Sequence, residues 1–511
     1  MAQGTVEQER NEAGITTHRI AIVGSGFAGL GMAISLRRRG MNDFVVLERA
    51  GSVGGTWRDN TYPGCACDVP SHLYSLSFAL NPDWSRAFSA QPEIHRYLED
   101  TARRSGVHEQ IRFDTELTDA RWDESDGLWQ LQTTGGPLRA QVLIAAIGGL
   151  IEPRLPAVPG IEDFEGEIFH SARWNHDYDL GGKRVAAVGT GASAIQFVPQ
   201  IQSEVGELHL FQRTPAWIAP RNDRPIGSFE RRLYRRFPRL QRLARAGQFW
   251  SREALVLGFV KRPSLMKVIQ RAAEAHLRRQ VPDPGLRRKL TPDYTIGCKR
   301  ILISNDFYPA LAKENVEVHA EGLAEVRGST VIGSNGTERE VDAIILGTGF
   351  HVTDFPGMKV VHGREGRNLA ELWNGSPRAH RCTTVSGFPN LFVLGGPNVG
   401  TGHTSAVEMF EHQFAYVLDG LETMEREQLA CVDALPEVQA RFVAEVDRKM
   451  AGTVWMNGGC QSWYVDRHGR NSTLWPDWAF EHARQTARFD LDEYESTAAG
   501  AEAEERELVS A

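Results

Sequence analysis

Apolar and polar residues fall in blocks along this chain. From residue 19 it reads RIAIVGSGFAGLGMAISLRRRGMNDFVVLER. The unbroken apolar run Ile20 to Val23 predicts a strand buried on both faces. It enters Gly24-Ser25-Gly26-Phe27-Ala28-Gly29, then a predicted helix with small residues on one face. A second predicted strand, Phe44 to Leu47, ends on Glu48. The order repeats at 184–214, RVAAVGTGASAIQFVPQIQSEVGELHLFQRT, around Gly189-Thr190-Gly191-Ala192-Ser193-Ala194. Two further apolar runs, one from Ala140 and one from Val341, lead into glycine turns at Gly148-Gly149 and Gly347-Thr348-Gly349. The Pro-rich stretch IEPRLPAVPG (151–160) reads as a hinge. In SFERRLYRRFPRLQRLARAG, the residues Phe229, Leu233, Phe237 and Leu240 stand at helical spacing with Arg on the other faces, and Pro238 predicts a break.

Each glycine of the first turn has a mechanical use. Gly24 permits the tight turn, Gly26 lets a pyrophosphate approach the backbone, and Gly29 lets helix and strand pack closely. The phosphates then meet the positive end of the helix dipole. Glu48 lies 24 residues after Gly24, where it can accept hydrogen bonds from a ribose. At the same offset from Gly189 stands Arg213, followed by Thr214. An acid suits a free ribose hydroxyl and a base suits a 2′-phosphate. The first unit is therefore expected to take FAD or NAD and the second NADP. Two such units imply hydride exchange between NADPH and a flavin. The fold class expected is α/β with two Rossmann-like dinucleotide-binding domains. The NADP domain (151–339) is inserted in a discontinuous FAD domain (18–150 and 340–490) and carries a basic helical insert at 221–290. Residues 1–17 and the acidic segment 491–511 are expected to be flexible tails.

Composition narrows the class. The chain has 511 residues and a formal net charge of −8, a balance that argues against a general nucleic-acid binder. Locally the charge reverses: residues 221–290 hold 19 Lys and Arg against 5 Asp and Glu. That insert reads as a solvated helical surface packed by its apolar stripe, with contact to an anionic membrane or an acidic partner as the alternative. The N-terminus has no apolar signal region and no apolar run reaches the ~20 residues of a membrane span, so a soluble cytoplasmic protein is expected. The six cysteines show no zinc-type spacing; reduced thiols and no metal are the expectation.

Longer motifs resemble a family. Phe164-x-Gly166-xxx-His170-xxx-Trp174 matches the fingerprint of the type I Baeyer–Villiger monooxygenases, class B flavoprotein monooxygenases, with Asn175 where the family continues with Pro or Asp. Relatives that oxygenate nitrogen or sulfur usually carry Tyr in place of Trp174. A second family motif, Gly55-x-Trp57-xxxx-Tyr62-Pro63-Gly64-xxx-Asp68, is complete within GGTWRDNTYPGCACD, and Thr56 belongs to the same turn. Cys298-Lys299-Arg300, the stretch GGPNVGTGH with Asn398, and Cys460-Gln-Ser-Trp463-Tyr464 also resemble family segments. The resemblance spans about 18 to 490.

The resemblance implies an FAD- and NADPH-dependent enzyme that oxygenates ketones to esters or lactones through an anionic flavin peroxide. An Arg cannot deprotonate, so it suits stabilisation of both the peroxide and the ensuing oxyanion. Arg300 matches that residue and Asp68 the carboxylate that orients it. Lys299 with Arg213 and Thr214 would hold the 2′-phosphate, and Trp463 the ribose or amide region of the nucleotide. Thr56, Trp57 and Asn398 would face the flavin, while Gly189, Gly191 and Ser193 would cradle the NADP pyrophosphate. His170 reads as structural or domain-coupling, because an anionic peroxide needs no base. Two other readings stay open: oxygen transfer to amine nitrogen or sulfide sulfur, and a flavin disulfide reductase. Against the latter, Cys65 and Cys67 lie only two apart, whereas those enzymes place a redox pair beside the flavin at wider spacing.

Overall fold

The computed structural model describes residues 15–499. Two sheets built on one plan organise the chain. In the larger, the parallel neighbours Leu138–Ala145, Thr16–Val23, Phe44–Leu47 and Ile111–Arg112 form the nucleotide-binding half. Strands Leu117–Asp123 and Leu128–Thr133 extend it in antiparallel fashion beyond Leu138–Ala145. The second sheet has five strands, all parallel, in the order Val316–His319, Glu207–Phe211, Arg184–Val188, Ala343–Leu346, Glu167–His170. The residues of the central strands, among them Ile20, Ile22, Ala186, Ile344 and Ile345, are fully buried, as unbroken apolar runs require.

The chain leaves the first sheet after Ala145 and enters the second, then returns after Leu346 to place Val361–His362 and Leu391–Val393 in the first. Each crossing strand lies beside the strand that feeds a glycine loop, Leu138–Ala145 beside Thr16–Val23 and Ala343–Leu346 beside Arg184–Val188. The two loops therefore sit at the carboxyl ends of their strands, where the strand order turns and a crevice opens.

The structure departs from the sequence expectations in two places here. Residues 494–498, expected to be part of a flexible tail, form a strand antiparallel to Leu429–Ala434. Tyr494 is buried there against Phe489, and Glu493 holds both His380 and Arg381. These partners lie far away in sequence, which is why a short acidic segment read alone as a tail. Thr16 and Thr17, also placed in a tail, open the strand Thr16–Val23 opposite Leu138 and Arg139, while residues 1–14 and 500–511 lie outside the described residues.

The basic insert is helical, with Ser228–Arg236, Pro238–Glu253, Met266–Gln280 and Pro284–Lys289 as its main helices. Pro238 opens the second helix, a position where its missing N–H costs nothing. The expected packing of the apolar stripe does not occur: helix Ser228–Arg236 has no buried residue, and Phe229 is 75% exposed. No helix of the described residues is long and apolar enough to cross a membrane.

Candidate active site

The two glycine loops show the same physical solution with one exchange. Gly24 has φ +100° and Gly189 φ +105°, and a Cβ on either would stand 2.6 Å from the Ala146 carbonyl oxygen or 2.5 Å from that of Gly347. Only glycine meets both demands. At the third position the loops differ. A Cβ on Gly29 would lie 3.3 Å from the Ala146 methyl, and a Cβ on Gly347 would lie 3.3 Å from the Ala194 methyl. Between helix start and crossing strand each unit thus has room for one methyl. The first puts it on the crossing strand and the second on the helix.

Around the first loop, Gly26 faces Gly55, whose Cβ would lie 3.2 Å from the Gly26 Cα, so backbone meets backbone with no side chain filling the cradle. Thr56 opens a short helix, Thr56–Asp59. Trp57 is buried and donates its indole N–H to the Tyr74 hydroxyl at 3.0 Å, while its carbonyl accepts from Gln91. Glu48 is buried at the end of its strand. One carboxylate oxygen accepts from the Ser25 amide (2.9 Å) and hydroxyl (2.6 Å), the other from the Ala50 amide (3.0 Å) and Arg58 (2.9 Å). Asn398 is spent differently from the expectation of a flavin-facing side chain. Its amide donates to the Asn471 and Leu474 carbonyls and its oxygen accepts from Arg470, so it shapes the loop between 395 and 403.

Around the second loop, nothing stands within 4.0 Å of the position a Gly191 Cβ would take except the Gly347 carbonyl oxygen, at that limit. Ser193 stands at the N-cap position of helix Ala194–Ile201, with no capping hydrogen bond from its side chain. Thr190 donates to the Thr214 carbonyl at 3.1 Å, tying the loop to the end of the next strand. Arg213 is exposed, and Lys299 lies near enough to feel its charge. Burial, then the like charge of Arg213, push the Lys299 amine below its ordinary value, with Asp293 opposing. The two cations stand close enough together to raise the local positive potential. The Lys299 amine also stands 5.0 Å from the Tyr294 ring centre, which fixes its approach.

A further pair joins residues separated by 232 positions in sequence. Arg300 donates through Nε to Asp68 Oδ2 and through Nη2 to Oδ1, both at 2.6 Å. Burial raises the Asp68 carboxyl, but the charge and hydrogen bonds of Arg300 outweigh it and hold the carboxyl below its usual range. Asp68 in turn holds Arg300 firmly protonated. Asp68 sits in an irregular segment pinned by Cys67 N–H to Ser89 O (3.0 Å) and Gln91 N–H to Cys65 O (2.8 Å). Arg300 precedes strand Leu302–Ile303, which pairs with Ile218–Ala219.

Three residues were given no role from sequence. Tyr464 is fully buried beside Arg300, and burial raises its hydroxyl to about 12 against the lowering pull of Arg300. Its neighbour Trp463, expected to hold the nucleotide, is 44% exposed. Arg252, from helix Pro238–Glu253, lies within electrostatic reach of Asp68, Arg300 and Cys67. Gln196 clamps the halves: its amide oxygen accepts from the Tyr62 hydroxyl (3.0 Å) and the Ala66 amide (3.2 Å), and its nitrogen donates to the Ala66 carbonyl (3.0 Å). The one available signal was a polar Gln near the start of AIQFVPQI, whose other polar residue is Gln200.

The cysteine expectation needs correction. Cys298 and Cys460 form a disulfide across 162 positions, so two of the six thiols are not free. Nothing in their spacing marks the pair; folding brings their Cα atoms to 6.1 Å. The bridge joins the segment of Lys299 and Arg300 to the segment of Trp463 and Tyr464. Cys65 and Cys67 are buried free thiols, Cys65 raised to about 11 by burial and Cys67 further.

The residues of the fingerprint lie on the edge strand Glu167–His170 and its flanks. Gly166 is obligatory, since a Cβ there would meet the Asp342 carbonyl oxygen at 2.4 Å and the Phe164 ring at 2.7 Å. Trp174 packs on Phe169 and Phe197. His170 accepts from the Ala172 amide (3.1 Å) through Nδ1, and its ring meets Phe350 edge-on where the chain prepares to leave the second sheet. Burial pushes it down to about 4, so it is neutral at pH 7. Asn175 donates to Glu167 (2.7 Å) and accepts from the Asp177 amide (3.0 Å), holding the turn that follows.

A family profile described as pyridine nucleotide-disulphide oxidoreductase matches residues 21–242. A Baeyer–Villiger monooxygenase of Streptomyces coelicolor is 52% identical, over 93% of this chain and 92% of its own length. Another, from Pseudomonas aeruginosa, is 50% identical over 94% of this chain and 91% of its own. Among solved structures, OTEMO in complex with FAD and NADP superposes with a TM-score of 0.83 at 25% identity, covering 94% of this chain and 99% of that one. An oxidised steroid monooxygenase bound to NADP gives 0.82 at 28% identity, covering 95% and 100%. A closed form of cyclohexanone monooxygenase gives 0.82 at 26%, covering 94% and 99%.

Proposed function

The chain belongs to the Baeyer–Villiger monooxygenases, and from that membership we propose that it is an FAD- and NADPH-dependent enzyme oxygenating ketones to esters or lactones. Overall, ketone, dioxygen, NADPH and a proton give ester, NADP and water. The observation that carries the reading for this chain is the bidentate Arg300–Asp68 pair, in a chain that also holds two glycine loops of one geometry.

In this reading residues 18–150 and 340–490 form the FAD domain and 151–339 the NADP domain. Gly24, Gly26 and Gly29 take the FAD pyrophosphate, with Glu48 on its ribose. Gly189, Gly191 and Ser193 take that of NADP, and Arg213, Thr214 and Lys299 its 2′-phosphate. When bound, the flavin supplies the route by which NADPH hydride activates dioxygen. The chain's own part is electrostatic. Arg300 provides a positive charge that no working pH removes, and Asp68 fixes the plane of its guanidinium. One edge of that fork is occupied by the carboxylate, and the remaining N–H groups are free to stabilise negative charge on the reacting oxygens. Tyr464 and Trp463 close this side, the former filling space next to Arg300.

The relatives give no support to transfer onto amine nitrogen or sulfide sulfur. Nor does the Cys298–Cys460 bridge favour a flavin disulfide reductase, because its cysteines come from separate segments. The test is to mix NADPH-reduced protein with dioxygen and a panel of ketones and sulfides, with products identified by mass spectrometry. Esters are expected from ketones. Arg300→Ala should still be reduced by NADPH yet form no ester; ester yield equal to the wild type would refute the role given to Arg300.

A further inference from the structure

Helix Pro238–Glu253 is built inside out. Its protein-facing side carries polar anchors beside the packed ring of Phe249: Gln241 donates to the Asn81 carbonyl (2.6 Å), Arg245 to the Leu73 carbonyl (3.1 Å) and to Glu408 (2.8 Å), and Glu253 accepts from His403 (2.8 Å). Gln241, Arg245 and Glu253 are all buried. The opposite side is apolar and faces solvent. Leu240, Leu243, Trp250 and, past the helix end, Leu257 recur at 3, 7 and 7 residues, with the exposed Gly247 and Ala254 between them. Leu243 is 66% exposed and Trp250 58%. An ordinary surface helix has the reverse arrangement. Phe229 and Phe237 before this helix, and Leu265 and Val268 after it, add to the same exposed apolar set.

Charge says what covers this face. The exposed stripe is flanked by Arg236, Arg239 and Arg242 at one end, beside Arg235 in its pair with Asp83, and by Arg262 and Lys267 at the other, all exposed. Of the five acids in the insert, Glu230 is held by Arg224 and Glu253 is buried. A second copy of the chain would bring one insert of this charge against another and repel it. A surface that offers hydrocarbon beneath negative charge satisfies both features at once. We propose that the outer face of helix Pro238–Glu253, extended to Leu257, docks on an anionic lipid membrane, lying in its interface without crossing it. The same helix carries Arg252 on the side near Asp68 and Arg300, so the docked face and the reaction site are two sides of one element.

The experiment is sedimentation of the full-length, FAD-loaded protein with vesicles of phosphatidylcholine, alone or mixed with phosphatidylglycerol. The wild type is expected to pellet with the mixed vesicles and to be released by high salt, and to stay in solution with phosphatidylcholine alone. The double variant Leu243→Glu, Trp250→Glu should lose at least 10-fold in vesicle binding while keeping its flavin content and NADPH oxidation. Should it fold poorly, Arg236→Glu with Arg239→Glu, at exposed positions, tests the charge component with the same expected loss. The proposal is overturned if the wild type remains in solution with the mixed vesicles, or if both double variants bind as the wild type does. It is equally overturned if sedimentation velocity shows a dimer that Leu243→Glu, Trp250→Glu dissociates while vesicles bind nothing, since the face would then join two copies.

Discussion

Recognition of the 2′-phosphate offers the most direct test of how this site is built, because NADPH and NADH differ only there. Arg213 and Lys299 are the groups concerned. Arg213 is exposed and Lys299 half-buried over the Tyr294 ring. A charge-assisted hydrogen bond is worth about 1.5–3 kcal/mol when its surroundings are partly dry. Solvent screening brings the exposed Arg213 toward the lower end, about 1–2 kcal/mol. Arg213→Ala should therefore raise the KM for NADPH roughly 5- to 30-fold, and Lys299→Ala roughly 10- to 150-fold. With NADH either change should stay within about 2-fold, since no contact is lost. The pH dependence has a definite sign. The Lys299 amine lies below its ordinary value, so it loses its proton earlier on the alkaline side than a free lysine. KM for NADPH should rise as pH climbs through that lowered value, and this limb should vanish in Lys299→Ala. Steady-state kinetics with both nucleotides across pH decides the matter. An equal change for NADPH and NADH in both variants would refute phosphate recognition by this pair.

Three further outcomes follow from the packing. Gly29→Ala would place a methyl 1.9 Å from the Gly24 carbonyl oxygen and should give colourless protein without FAD, whereas Ala194→Gly, which only removes a methyl, should keep NADPH-driven reduction; absorbance of the purified variants checks both. His170 is pushed by burial to about 4 from an ordinary 6.5, so its contribution to stability is fully present above pH 6.5 and is lost as pH falls from there toward 4, by roughly 3 kcal/mol in all; melting curves across that window should be less steep in pH for His170→Gln. Non-reducing peptide mapping should find Cys298 joined to Cys460, and reduction by dithiothreitol should raise the KM for NADPH by loosening the segment of Trp463 and Tyr464 from that of Lys299; an unchanged KM would show that the bridge does not position them.

Some of this protein was decided by sequence alone. The two glycine turns, their strands, and the acid at Glu48 against the base at Arg213 are local patterns within about thirty residues. Local sterics fix such units wherever they fold, which is why Gly24 and Gly189 adopt the same φ against the same kind of carbonyl. The Arg300–Asp68 pair was legible only through motif resemblance, since no periodicity links residues 232 positions apart. Tertiary structure alone decided the rest. The Cys298–Cys460 bridge, the Tyr464 ring beside Arg300 and the strand Tyr494–Ala498 all depend on which distant segments meet. Helix Pro238–Glu253 shows the reason most clearly. The sequence showed an apolar stripe at Phe229, Leu233, Phe237 and Leu240, of which only Leu240 lies in this helix, and spacing says only that a helix has two faces. Which face turns inward is set by the partners waiting there, and here Leu73, Asn81, His403 and Glu408 offered polar groups to bury and left the leucines outside.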